Sequence, residues 1–393
     1  MKRRRSDTMK RMKEMRTWKR TAGCFLAAVM TAGLLMGCST QGGGAAQAET
    51  NQEAAGDDTK AAAGEAVTEA VKAAGDKSEK ITIGWAMAYF DHPVYQLLMQ
   101  GAQEIADGLD GCELIFADGK NDATTQASQI DTFIAQNVDA IILTAAVSDP
   151  MLPSIKKIND AGIPLIIVDR RILKQGQDVT WECYVTWDMV LSGTQGAEQT
   201  IEALGGAGNA KGKVVVVEGT AGAGSTIDRG GAYYSKLEEE PSIEVIYKVD
   251  GDFDRTKGME VTETILQRYP NEGDFQAIYY MNDEMALGGL QAVEAAGRMG
   301  EFQIISVDGE KEALDAVRAG KINYEVMFKP DEQAVAVEVA YKLAKGESVD
   351  YSNIQYKGTP IEVTETDDGF TWLRPTCYKI DSTNCNEPEF QGW

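Results

Sequence analysis

From Lys80 onward the chain alternates between two textures. Short, continuous apolar runs recur at 81–88, 113–117, 140–144, 164–168, 183–186, 213–218, 243–249, 277–280, 302–307 and 322–328. Between most of them lie polar stretches with apolar residues at helical spacing, as in 94–109, 124–137, 230–239 and 284–296. A strand that is apolar at every position is covered on both faces, which is the habit of parallel sheets sandwiched between helices. The pattern therefore predicts an α/β protein. Its ten strands divide after the fifth into two doubly wound parallel-sheet lobes. The apolar stripe of 285–293 reads as a helix packed on its sheet and not as a cofactor box. Ligands of such sheets bind outside the carboxyl ends of the strands, so the residues that follow each run are the functional candidates.

Upstream of Lys80 nothing supports a packed core. Residues 38–80 are rich in Gly, Ala, Glu, Gln and Thr, with almost no large apolar side chain. Such a segment reads as a tether, spanning roughly 35 Å as a flexible coil. The first 20 residues hold ten Lys and Arg against Asp7 and Glu14, and an uncharged run over 21–37 ends at Cys38. A basic stretch followed by a short apolar one is the pattern of an export signal. Leu35-Met36-Gly37-Cys38 resembles the bacterial lipobox, which implies cleavage before Cys38 and a lipid anchor on it. The alternative is an uncleaved signal anchor, although 17 residues are short for spanning a bilayer.

Removal of 1–37 would change the net charge from −23 to −31, with 28 Lys and Arg against 59 Asp and Glu. Phosphate recognition needs clustered cations, so nucleic acid is excluded as a partner. The acidic balance reads as a solvated surface. Cys24 would leave with the signal, and Cys112, Cys183, Cys377 and Cys385 remain. Cys377 and Cys385 are close enough in sequence for a local disulfide in an exported protein, with free thiols as the alternative. No Cys-x-x-Cys pair suggests zinc or redox chemistry.

The strand ends are polar or aromatic. The first run leads into Tyr89-Phe90-Asp91-His92-Pro93-Val94-Tyr95, the fourth into Asp169-Arg170, and the sixth into a Gly-rich loop ending at Arg229. The seventh leads to Asp252-Phe253-Asp254, the eighth to Asn282-Asp283-Glu284 and the ninth to Asp308-Gly309. Carboxylates, guanidiniums and amides pair with hydroxyls that both donate and accept, and rings cover apolar C–H faces. Three of these stretches, Ile167-Val168-Asp169-Arg170, Gly251-Asp252-Phe253-Asp254-Arg255 and Asn282-Asp283-Glu284-Met285-Ala286-Leu287-Gly288, closely resemble the ribose-type periplasmic sugar-binding proteins. The resemblance runs from about residue 80 to about 357.

That resemblance implies a type I periplasmic-binding-protein fold: two lobes joined by a three-crossing hinge that closes on its ligand. It assigns 81–187 and 329–357 to an N-terminal lobe, 188–328 to a C-terminal lobe, and crossings near Trp187, Lys329 and Gly358. Residues 358–393 go beyond the family's usual end and suggest an ordered flap on the N-terminal lobe or hinge. Carried over position by position, Asp169, Arg170, Arg229, Asn282 and Asp308 would bind hydroxyls, while Tyr95 and Phe253 would stack on a ring. His92 stands where the family often has Asn. Val94, Phe328, Ala88 and Val307 depart from the ribose pattern. Phe328 replaces a glutamine and becomes a further candidate ring. The expected ligand thus widens from ribose to a hexose, a deoxy sugar, a polyol or a sugar derivative. Trp85 and Trp187 are either further rings or core. The implied partners are a small sugar or polyol, the permease subunits of an ABC importer, and the membrane through the lipid on Cys38. The implied protein is an extracytoplasmic monomer with no cofactor.

Rival chemistries fit the residues poorly. The stretch Gly219-x-x-x-x-Gly224-Ser225-Thr226 lacks the lysine of a phosphate-binding loop. Residues 250–261 have Arg255 and Val261 where a calcium loop needs glycine and glutamate. His92 is the only histidine, and Pro93 follows it, which suits ligand contact better than catalysis. Asp169 and Asp308 could form a glycosidase pair, but a carboxylate beside Arg is expected to stay ionised. No enzyme activity is expected. A sensory receptor is the alternative to a transport component. A lac-repressor-like ligand domain would need an N-terminal helix-turn-helix, where the export pattern stands instead.

Overall fold

The computed structural model describes residues 80–173 and 178–393, so the export signal, Cys38 and, apart from Lys80, the tether lie outside the described residues. Residues 81–393 form one compact unit.

All ten expected strands are present. The first lobe runs β1 (Ile81–Met87), α1 (Pro93–Asp107), β2 (Cys112–Asp118), α2 (Ala123–Gln136), β3 (Ala140–Leu143), α3 (Leu152–Ala161), β4 (Leu165–Val168) and β5 (Cys183–Val185). The second runs α4 (Met189–Ala203), β6 (Gly212–Glu218), α5 (Gly224–Leu237), β7 (Ile243–Asp250), α6 (Arg255–Arg268), β8 (Ala277–Tyr280), α7 (Asp283–Ala295), β9 (Gln303–Asp308), α8 (Lys311–Arg318) and β10 (Tyr324–Met327). Each lobe is built on a parallel sheet, in the orders β5-β4-β3-β1-β2 and β10-β9-β8-β6-β7. The all-apolar strands β3, β4 and β8 are buried at every position, as their unbroken apolar runs require.

The strand-to-helix turns are set by caps. Asp122, Asp188, Asp254 and Asn282 each accept the backbone N–H three residues on, at 2.7, 2.8, 2.7 and 3.0 Å, and so start α2, α4, α6 and α7. His92 caps α1 through its Nδ1, which accepts from the N–H two residues on, that of Val94, at 3.2 Å. Helix α5 begins at Gly224, earlier than the expected 230, because the Gly-rich loop is shorter than its composition suggests. A Cβ on Gly224 would lie 2.1 Å from the Arg171 carbonyl, so glycine is needed where the two lobes approach.

After β10 a 3-10 turn over Pro330–Val335 and helix α9 (Ala336–Ala344) return the chain to the first lobe, where α9 packs against β1 and β3. The short ribbon β11 (Gln355–Tyr356) and β12 (Thr359–Pro360) leads to β13 (Glu362–Glu365) and β14 (Thr371–Arg374). Strand β14 adds in parallel to β5 and carries β13 as the sheet edge. The chain then passes to β15 (Tyr378–Asp381), which pairs antiparallel with β10 in the other sheet. The third crossing therefore lies at 375–377 and not near Gly358, because residues 362–374 are still hydrogen-bonded into the first sheet. The extension is a structural part of both lobes rather than a flap on one. Stacking of Phe370 on Trp181, with centroids 4.3 Å apart, anchors its hairpin.

Cys112, Cys183, Cys377 and Cys385 are free thiols, so the Cys377–Cys385 bridge is not formed. Extended β15 separates them. Four strand residues span about 13 Å, beyond the roughly 7 Å a disulfide tolerates between Cα atoms. Cys385 is held at the far end of β15, its N–H donating to Asp381 O at 2.9 Å.

Candidate functional site

The carboxyl ends of both sheets face one buried cleft. Tyr89, His92, Val94, Tyr95, Asp169 and Arg170 line it from the first lobe. Met189, Ser225, Arg229, Phe253, Asn282 and Asp308 line it from the second, with Trp187 and Phe328 at two of the crossings. All nine candidates named from the sequence are thus brought together. Tyr89, Met189 and Ser225 were missed as site residues. Each lies in a stretch already read as a loop or crossing, but nothing local marks which loop residue turns inward. Trp85 is core, its Nε1 donating to Thr144 Oγ1 at 3.1 Å, and Trp187 lies at the cleft.

On the first lobe, Tyr95 donates its hydroxyl proton to Asp169 Oδ2 at 2.6 Å. Arg170 donates to Ala146 O at 2.9 Å. Its guanidinium lies 5.4 Å from the Tyr89 ring centroid and 5.4 Å from that of Phe253, so it is held between rings of the two lobes. Phe253 reaches this position because Gly219 has no side chain. A Cβ there would fall 1.9 Å from the Phe253 ring.

On the second lobe, Arg229 is almost fully buried. It donates through Nε to Ser192 Oγ at 3.2 Å and through Nη1 to Met281 O, and its Nη2 lies 3.6 Å from Asp308 Oδ1. Phe328 stacks on Trp187, with centroids 3.5 Å apart and planes 15° from parallel, and forms an apolar wall where the ribose pattern has a polar group.

Burial raises the carboxyls of both Asp169 and Asp308 above the ordinary range despite the opposing arginines. Behind Asp308 lies a buried acid cluster. Burial lifts Asp283 to about 6, and burial with the neighbouring Asp283 holds Glu325 well above its ordinary value. Asp283 is satisfied by Ser306 Oγ and by the N–H groups of Gly309 and Glu310 at 2.9 and 2.8 Å. Among the described residues no group of His, Cys, Asp and Glu could hold a metal ion.

Burial, aided by Arg170 and Arg255, lowers His92 to about 3, so its ring is neutral. Since Nδ1 accepts from Val94 N, hydrogen bonding assigns the ring proton to Nε2. Nε2 lies 3.1 Å from Asn282 Nδ2, whose own Oδ1 is used by Met285 N. This contact joins the two lobes across the cleft, and with the ring proton on Nε2 both nitrogens are donors.

A cleft that offers buried donors, acceptors and rings from two lobes is built to hold a small polar molecule. The comparisons agree. Residues 83–348 match the model of the periplasmic binding protein domain. The chain is 32% identical over 277 residues to the ribose import binding protein of Bacillus subtilis, covering 70% of this chain and 85% of that protein. It is 30% identical over 237 residues to the galactofuranose-binding protein of Escherichia coli, covering 60% of this chain and 73% of that one. The solved structure of an ABC transporter solute binding protein from Bacillus halodurans with bound myo-inositol superposes with a TM-score of 0.68 at 27% identity. It covers 80% of this chain and 99% of the other. These relatives are named as binding proteins, and no enzyme is among them. The chain belongs to the periplasmic binding protein family.

Proposed function

We propose that the protein captures a monosaccharide or cyclic polyol between its lobes and presents the closed complex to the permease of an ABC importer. The observation that carries this is the opposition of Asp169 and Arg170 on one lobe to Arg229, Asn282 and Asp308 on the other, with Tyr95 and Phe253 between them. Ring hydroxyls would take the polar groups, and the C–H face would take the rings. The ligand binds the closed arrangement better than the open one, which is what drives closure. The Phe328–Trp187 wall favours a ligand with one apolar edge. The names of the relatives, which include ribose, galactofuranose and myo-inositol binders, support this ligand class.

The protein would act outside the cytoplasm as a monomer, anchored through lipid on Cys38 and held off the membrane by residues 38–80. Among the described residues no helix is long and apolar enough to cross a membrane. Thermal unfolding against D-ribose, D-allose, D-galactose, xylitol and myo-inositol tests the reading. A true ligand at about 100 times its Kd adds about 2.7 kcal/mol and raises Tm by several degrees. No shift with any pentose, hexose or polyol in a cooperatively folding sample would reject it.

A further inference from the structure

Both cleft carboxylates sit on unusual backbone. Asp169 has φ 65° and Asp308 has φ 141°, conformations that L-residues adopt at a cost. Such residues persist only where their surroundings over-determine them. The carbonyl oxygens of both are held: Asp308 O accepts from Phe328 N at 3.1 Å, and one further restraint on each aspartate traces to residues 359–393, beyond the matched family region.

Trp393 donates its indole N–H to Asp308 O at 3.1 Å and to Phe328 O at 2.9 Å, which ties the ends of β9 and β10 together. Its backbone N–H donates to Gly309 O at 3.3 Å, and its carbonyl accepts from Lys311 N at 3.0 Å. Gly392, at φ 79°, lets the chain come this close. A Cβ there would lie 2.5 Å from Lys311 Cα. On the other lobe Trp372 donates its indole N–H to Thr186 O at 2.7 Å. Thr186 in turn donates its hydroxyl proton to Asp169 O at 2.6 Å. One extension thus sends one indole to the backbone behind each cleft aspartate, directly at Asp308 and through Thr186 at Asp169.

We propose that residues 359–393 brace the ligand cleft, with Trp393 as the positioning residue for Asp308 and Phe328 and Trp372 acting on Asp169 through Thr186. Neither tryptophan lines the cleft, so each acts through another residue. The brace rests on the binding role proposed above.

Trp393→Phe keeps the ring and removes the N–H. Two measurements decide, hydrogen exchange at Gly309 and Phe328, and calorimetric titration with whichever of D-ribose, D-allose or myo-inositol binds the parent. Exchange at these two amides should rise at least tenfold, exchange in β6 and β7 should stay unchanged, and Kd should weaken about five- to twentyfold. Gly392→Ala, which displaces the indole, should move both readouts the same way. Parent-like exchange and affinity in both variants would overturn the brace. So would exchange that rises evenly across the second lobe, since that marks general support for the fold. If the parent binds none of these three ligands, the exchange pattern alone decides the brace, and the ligand class is judged separately by the thermal-unfolding panel.

Discussion

His92 shows how a single residue type changes meaning with burial. From the sequence it is a polar loop residue next to a proline. In the fold it is an N-cap whose ring stays neutral down to about pH 3, against an ordinary value of 6.5. Between those values the unfolded chain binds a proton that the folded chain refuses, so this contribution is complete above 6.5 and is lost as pH falls. The raised carboxyl of Asp283 runs the other way, its contribution being lost as pH rises toward about 6. The His92 share is isolated by comparison with His92→Gln. From pH 7.5 to 5.0 the parent should lose about 2 kcal/mol relative to the variant, seen as several degrees of Tm. Parallel Tm curves would show that the ring is not held neutral. The stretches that hold the nine candidates could be read as facing the cleft because each ends or follows a predicted strand, and the family resemblance picked the nine residues within them. The neutrality of His92 and the raised carboxyls could not, because desolvation depends on neighbours far away in sequence.

At the scale of elements, the strand-to-helix turns carry the chemistry, and glycine decides how closely they approach. Gly219 belongs to a loop that the sequence marks as Gly-rich, with a spacing near that of a phosphate-binding loop but without its lysine. The structure gives it a different task, making room for the Phe253 ring. Gly219→Ala should push that ring off Arg170 and weaken ligand binding at least tenfold by titration calorimetry, with the sheets intact by circular dichroism. Unchanged affinity would mean that Phe253 has no part in binding. The tail strands were the elements least legible beforehand. Strands β13, β14 and β15 are only four residues long, too short for a two-residue period to stand out. Strands β14 and β15 exist because β5 and β10 present open edges for them to pair with, and β13 in turn pairs with β14.

At the scale of the whole molecule, the lobes also touch directly. Arg171 of the first lobe donates to both oxygens of Asp228 on α5, at 2.7 and 2.6 Å. Ser148 N donates to Gly222 O at 3.0 Å across the same seam. A bidentate pair of this kind favours the closed arrangement whatever the ligand. Arg171→Ala should therefore raise the population of open molecules, seen as a larger radius of gyration by small-angle scattering. It should also weaken binding roughly threefold to tenfold. An unchanged radius together with unchanged affinity would show that the pair does not bias closure. The alternation of apolar runs with helical spacing was enough to determine two parallel-sheet lobes and the strand ends where a ligand binds, because solvent exclusion acts on each segment locally. The path of the last crossing, the free state of Cys377 and Cys385, and the hold of Trp372 and Trp393 on the cleft were decided only in the tertiary structure. Each of these depends on an edge, a distance or a carbonyl supplied by a residue far away in the chain.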